Sequence, residues 1–218
     1  MHMFMDDLIA DTAPERNALL GLPLIQKALR GGVTRAAYVE FLTQAYHHVR
    51  HTVPLLMTCG ARMPQRLSWL RDAIVDYIDE EKGHDEWILS DIEAAGGDAA
   101  NVRGGTPSPA TELMVAYAYD GITRRNPVVF FGMAHVLEGT SVQLASQAAG
   151  VLQESLALPA RAFTYLTSHG SLDIEHTKTF AGLVNRLDAS QDRADILHAA
   201  RMFYRLYADI FRGVEAAA

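Results

Sequence analysis

Apolar residues recur every three or four positions along almost the whole of this chain, and no strand-length run alternates between apolar and polar. That period belongs to amphipathic helices, whose side chains share a face at i, i+3 and i+4. The expectation is an all-α helical bundle of about seven to eight helices, with its apolar stripes turned inward.

Glycines and prolines punctuate that pattern. Leu22 to Leu29 reads as a short helix stopped by Arg30-Gly31-Gly32. Thr34 is placed to cap a long helix that starts at Arg35, aligns Tyr38, Phe41, Leu42 and Ala45, and kinks at Pro54. Pro64-Gln65 opens a helix running unbroken to about Ala95, ahead of Gly96-Gly97. Asp98 to Ser108, rich in glycine, reads as a loop. Helices then follow over Ala110 to Thr123 behind Pro109, and from Pro127 to about Ala149. Pro159 to Ser168 is a further helix, broken at His169-Gly170 and resumed to Leu187 with Ser171 or Asp173 as its cap. The last helix, Asp192 to Val214, puts Ile196, Ala199, Phe203, Leu206, Tyr207 and Ile210 on one face. With no internal repeat, residues 1–218 read as one domain.

Composition narrows the function. Apolar residues make up 49% of the chain, enough for a core without staples, and a formal charge of −7 argues against nucleic acid as a partner. Cys59 is the only cysteine, so neither an intrachain disulfide nor a cysteine-based metal site is available. The start, Met1-His2-Met3-Phe4-Met5-Asp6-Asp7, lacks the basic region and apolar run of a signal peptide. No apolar stretch approaches the ~20 residues that span a bilayer. A soluble cytoplasmic protein with no membrane partner is expected.

Six residues in three distant segments stand out against this background. Glu81 and His84 lie three apart and share a helix face, although Glu80, four before His84, is an alternative to Glu81. The crowd of Asp79, Glu80, Glu81, Asp85 and Glu86 also reads simply as a solvated acidic turn. Gly83 costs ~1 kcal/mol relative to alanine inside a helix and so usually has a packing or functional reason, which a close neighbour or a π-bulge beside a metal would supply, although the sequence shows neither. Glu138 sits in the small and apolar run from Phe130 to Ser141, where a carboxylate is expensive to bury unless paired. The alternative is a half-exposed helix with Glu138 facing water. His135 reads as a partner supporting that site or as a core histidine. His169, Asp173 and His176 supply two imidazoles and an acid at close spacing, with Asp173 as a simple cap, or Glu175 as the acid, the competing readings. Three carboxylates and three imidazoles without a thiolate suit iron or manganese held between helices. His47, His48 and His51 form a second patch without a nearby carboxylate and read as pocket-lining or surface residues. Tyr46, Tyr77, Tyr117, Tyr119 and Tyr165 read as core residues whose hydroxyls need partners, and Met57 and Met63 as core filler.

The order E-x-x-H at Glu81 and His84, then Glu138, then H-x3-D-x2-H at His169, Asp173 and His176, resembles the haem-oxygenase-like diiron oxidases. These belong with the TenA- and PqqC-like helical bundles and include the chlamydial protein associated with death domains. The resemblance covers essentially the whole chain and implies a single haem-oxygenase-like helical domain. By position, it makes Glu81, His84, Glu138, His169, Asp173 and His176 the ligands of two iron ions, with manganese or a mixed iron–manganese pair as alternatives. It implies dioxygen as co-substrate, an external electron donor, a homodimer, and oxidation of a small organic substrate. The reaction classes are oxidative decarboxylation, desaturation, N-oxygenation and C–C cleavage. No catalytic residue beyond the ligands and no organic cofactor is implied. The alternative within the fold is a metal-free TenA-like hydrolase or small-molecule-binding module. Against it, Gln44-Ala45-Tyr46-His47-His48 has alanine where the TenA aspartate is due, and Cys59 falls in the wrong segment. Haem would find a proximal ligand in His47 or His48 but leave the acidic set unused.

Overall fold

The computed structural model describes residues 3–217, with the side chains of 169–177 outside that description. Among the described residues there are helices and no strands. Three short helices, α1 (Phe4–Asp11), α2 (Ala13–Leu20) and α3 (Pro23–Ala28), precede α4 (Arg35–Val49) and α5 (Thr52–Arg62). A 3₁₀ turn leads into α6 (Ser68–Glu81), followed by α7 (His84–Ala94), α8 (Ala99–Gly104) and α9 (Pro109–Asp120). A π turn (Gly121–Arg125) then joins α9 to the approach of α10 (Val129–Leu156), and α11 (Thr164–Val184) and α12 (Ser190–Ala217) complete the bundle.

The all-α architecture is the one expected, but several boundaries move for identifiable reasons. Thr34 caps α4 as anticipated, its Oγ1 accepting from the Ala37 amide at 3.1 Å. The helix expected to kink at Pro54 is instead two helices separated at Arg50-His51, and Pro54 occupies the first turn of α5, where its missing N–H costs nothing. The helix expected from Pro64 to Ala95 is likewise two. Lys82 turns extended and Gly83 adopts φ +85°, so α6 ends at Glu81 and α7 begins at His84. A Cβ at Gly83 would meet nothing within 4 Å, so the glycine is there for its left-handed backbone and not for close approach or a π-bulge. The supposed loop after Asp98 contains α8, which the Asp98 side chain caps. Helix α10 runs through Gly150 to Leu156, and the break expected at His169-Gly170 is absent because α11 is continuous from Thr164 to Val184. Its start is secured from another helix: the buried Asp91 carboxylate accepts the Thr164 and Tyr165 amides at 3.1 and 2.8 Å. Met63 is core as expected, whereas Met57 is 61% exposed.

Helix α10 organises the interior. Its first half, Val129 to Val136, belongs to an apolar cluster shared with α5, α6, α9 and α12. Its second half, through Ala145, Ala148 and Leu152, belongs to a separate cluster with α4, α7 and the start of α11. The stretch between the two halves, around Glu138 and Ser141, faces a cavity of about 150 Å³.

Candidate metal centre

The apolar stripe of α6 runs Leu70, Ile74, Tyr77, and the next residue in register is Glu81. The core stripe therefore ends by delivering a carboxylate into the cavity. Glu81 lines that cavity while Glu80 is exposed, which settles which of the two acids points inward. The turn at Lys82-Gly83 then folds α7 back so that His84, only 2% exposed, places Nδ1 3.0 Å from Glu81 Oε2. Its ring stacks on Trp87 at 4.2 Å. In the tautomer that donates Nδ1–H to Glu81, Nε2 carries the lone pair, the form in which imidazole ligates a metal.

Glu138 enters the same cavity from α10, and its Oε1 accepts the Tyr77 hydroxyl at 2.9 Å. The expectation that this acid turns inward is met. Tyr77 holds its proton firmly. Burial pushes its phenol well above the usual range, and the charge of Glu138, the bond to it, and the charges of Glu81 and Glu80 add to the effect. Tyr77 thus lies in the field of both cavity carboxylates. Sequence reasoning placed it in the core with an unnamed hydroxyl partner. Its position four residues before Glu81 was the available signal, since i and i+4 share a face.

The second half of the expected ligand set, His169, Asp173 and His176, falls on α11 between Leu166, which lines the cavity, and Phe180, which packs beside Phe131 and His135 of α10. The side chains of those three residues lie outside the described residues. Among the described residues, no group of three or more histidine, cysteine, aspartate and glutamate side chains comes together as a metal site. What is described is a carboxylate from the end of α6 and one from α10 facing one cavity, with the His84 imidazole bonded to the first. These donors are of the kind that hold iron between helices.

The other histidines separate into distinct environments. His135 is a core residue: it lies 3.4 Å from the Thr12 hydroxyl and against Phe180 and Tyr204, and burial lowers its pKa to about 4, with the Arg16 charge adding to the shift. His48 lines the cavity and meets Tyr207 edge-on. His47 is buried beside Tyr46, and His51 Nδ1 lies 3.1 Å from the Tyr119 hydroxyl, so the three do not converge. Cys59 is fully buried away from the cavity, donates to the Pro127 carbonyl at 3.2 Å, and has its thiol pushed up to about 12 by burial. It is inert as a nucleophile. Arg124 and Arg125 pair with Asp120 and Asp195 and do not line the cavity.

Comparison with known families now adds to this geometry. The model of the iron-containing redox enzymes matches residues 39–208. The chain belongs to that family. No curated protein matches it. Among solved structures, this family member is similar to a haem-oxygenase-like domain of unknown function from Shewanella denitrificans, at 23% identity and a TM-score of 0.89, covering 98% of this chain and 92% of that one. It is also similar to a TenA homologue from Pseudomonas syringae (14%, TM-score 0.81, 98% and 93% covered). Haem oxygenase-1 from Synechocystis in complex with haem matches at 12% identity and a TM-score of 0.76, with 99% and 94% covered. At these identities the structures establish the fold, which is the haem-oxygenase-like bundle expected from the sequence.

Proposed function

We propose that this iron-containing redox enzyme is a non-haem diiron oxidase or oxygenase acting on a small organic substrate, with dioxygen as oxidant and an external donor supplying electrons the substrate does not. The observation that carries the reading is the pair of carboxylates, Glu81 and Glu138, brought from two helices to one largely apolar cavity, with His84 on one and Tyr77 on the other. Like charges facing a low-dielectric space are costly unless something positive joins them, and bound cations answer that cost. Glu81, His84 and Glu138 would hold the metals together with His169, Asp173 and His176 of α11. Iron is the metal the family description supports, and manganese or a mixed pair fits the same donors.

When bound, such a pair supplies redox equivalents and a site at which dioxygen is reduced. The chain's own contribution is separable from that chemistry. Tyr77 keeps its proton and donates to Glu138 Oε1, which restrains the rotation of that carboxylate. Glu81 orients the His84 ring through Nδ1. The surrounding leucines, alanines and aromatics hold water away from the reacting end of the substrate. A metal-free hydrolase of the TenA type would need a reactive thiol, and Cys59 does not supply one.

The test is elemental analysis of protein loaded anaerobically with Fe(II), followed by exposure to dioxygen under visible absorption. About two irons per chain and an iron-dependent absorption change are expected. Both should be lost in Glu81→Ala, Glu138→Ala and His176→Ala. Iron well below one per chain that is indifferent to these substitutions sinks the reading.

A further inference from the structure

The α6–α7 turn carries a ring that the proposed chemistry leaves unused. Trp87 stacks its indole on the His84 imidazole, centroid to centroid 4.2 Å with 29° between the planes. His84 is 2% exposed and Trp87 half-buried, so the indole spans from the imidazole to the surface. Indole is one of the side chains that most readily lose a single electron, and rings in contact pass an electron better than a gap does. Tyr77, the oxidisable ring on Glu138, is 5% exposed and offers no comparable exit.

The second tryptophan of the chain is placed quite differently. Trp69 lies about 18 Å along α6 from Glu81, and the Arg186 guanidinium sits 4.0 Å over its ring. That charge opposes a positive indole. Trp87 instead follows Asp85 in the first turn of α7, where negative charge favours one.

We propose that Trp87 is an electron relay that protects the metal centre when dioxygen has oxidised it and no substrate is there to be oxidised in turn. The inference rests on the oxidase reading, because it takes His84 as a ligand. Trp87 gives up one electron, which reduces the centre by one equivalent, and its N–H proton passes to water. A small reductant in solution, of the ascorbate class, returns the electron and the proton together and restores the indole. Dioxygen is the terminal oxidant throughout. Where no reductant arrives, oxygen adds to the indole radical, and the covalent damage falls on Trp87 instead of on the ligands and the cavity wall.

Peptide mass spectrometry of Fe(II)-loaded protein exposed to dioxygen, without substrate or added reductant, tests it. Oxygen adducts should concentrate on Trp87 and stay at background on Trp69. Samples frozen early in the exposure should show the electron paramagnetic resonance of an indole radical. Trp87→Phe keeps a ring on His84 but resists losing an electron. Its first iron loading and far-UV circular dichroism should match the parent, and the radical should be gone. Its adducts should move to Tyr77 and Met133 of the cavity, and after the iron is stripped it should reload less than the parent does. Trp87→Tyr, which again loses an electron readily, should restore the reloading, whereas packing alone predicts no difference between the two variants. Adducts shared equally by Trp87 and Trp69 overturn the proposal, as does a Trp87→Phe protein damaged at the same residues and to the same extent as the parent. Elemental analysis and visible absorption on the same preparations separate the failures. A protein that takes up no iron ends the oxidase reading and the relay with it. Iron that reacts with dioxygen beside an unmodified Trp87, with no indole radical, ends the relay alone.

Discussion

His135 and Glu138 stand one turn apart on α10, and the fold gives them opposite tasks. Glu138 faces the cavity, whereas His135 is enclosed by Thr12, Phe180 and Tyr204 and stays neutral, its pKa lowered from 6.5 to about 4 by burial first and by Arg16 second. The unfolded chain takes up a proton below 6.5 that the folded one refuses until about 4. Stability is therefore whole above that upper value and falls as pH drops through the interval, by about 3 kcal/mol in all. Urea unfolding at pH 7 and pH 5 should show about 2 kcal/mol of this loss in the parent and a smaller one in His135→Leu. Thr12 would remain satisfied in that variant, because its hydroxyl already donates to the Leu8 carbonyl at 2.6 Å. Equal losses in both proteins would remove His135 from the acid response. Tyr77 belongs to the same scale. Tyr77→Phe deletes the 2.9 Å bond to Glu138 and should weaken iron about 10- to 100-fold in chelator competition, the usual consequence of releasing a ligand from its support. Unchanged iron affinity would reduce Tyr77 to packing.

Between helices, the tightest described approach is at Gly132, where a Cβ would lie 2.6 Å from Ala199 Cβ and 2.8 Å from both the Ala200 nitrogen and the Ile196 oxygen. Two of those three atoms are backbone, so α10 and α12 would have to part. Gly132→Val should cost at least about 3 kcal/mol in denaturant unfolding, while Gly139→Ala, with open space at its Cβ, should cost little. Asp91 holds α11 in a comparable way. Asp91→Ala leaves two amides at the start of that helix without acceptors, about 1–3 kcal/mol each if they stay buried, and should lower iron occupancy because α11 carries three of the proposed ligands. Normal iron loading in a destabilised Asp91→Ala protein would separate α11 from the metal. These elements also show what the sequence could and could not disclose. The stripe of α12 and the inward acids Glu81 and Glu138 were legible because both follow the helical period. The break at Gly83 was not, because Tyr77, Glu81, His84 and Ile88 keep that period across the turn, and only the backbone angle of Gly83 reveals it. The cap supplied by Asp91 was out of reach for a different reason: its partners are 73 and 74 residues away, and local pattern carries no information about them.

At the scale of the molecule, the cavity lies where one apolar cluster gives way to the other, and α10 is continuous through both. A seam of this kind is the weakest part of a bundle until a ligand joins its sides, so occupancy should be read in the stability of the whole chain. Fe(II) at a hundredfold excess over its dissociation constant should add about 2.7 kcal/mol, which for a chain of this length raises Tm by about 5–10 °C. The direction in the variants is the informative part. Glu138→Gln keeps an acceptor for Tyr77 and removes a charge from a low-dielectric space, so the metal-free protein should melt no lower than the parent, yet its iron-dependent rise should vanish. Glu81→Gln should lose the rise as well. Glu80→Gln, on the exposed side of the same turn, should keep it. A residue that holds the fold together lowers the metal-free Tm when removed, whereas one kept for the metal lowers only the difference between the loaded and unloaded proteins. Scanning calorimetry on the four proteins, each with and without Fe(II), distinguishes the two. An equal rise in all four would place the ion away from Glu81 and Glu138, and the seam would then be a channel for the substrate without the centre that oxidises it.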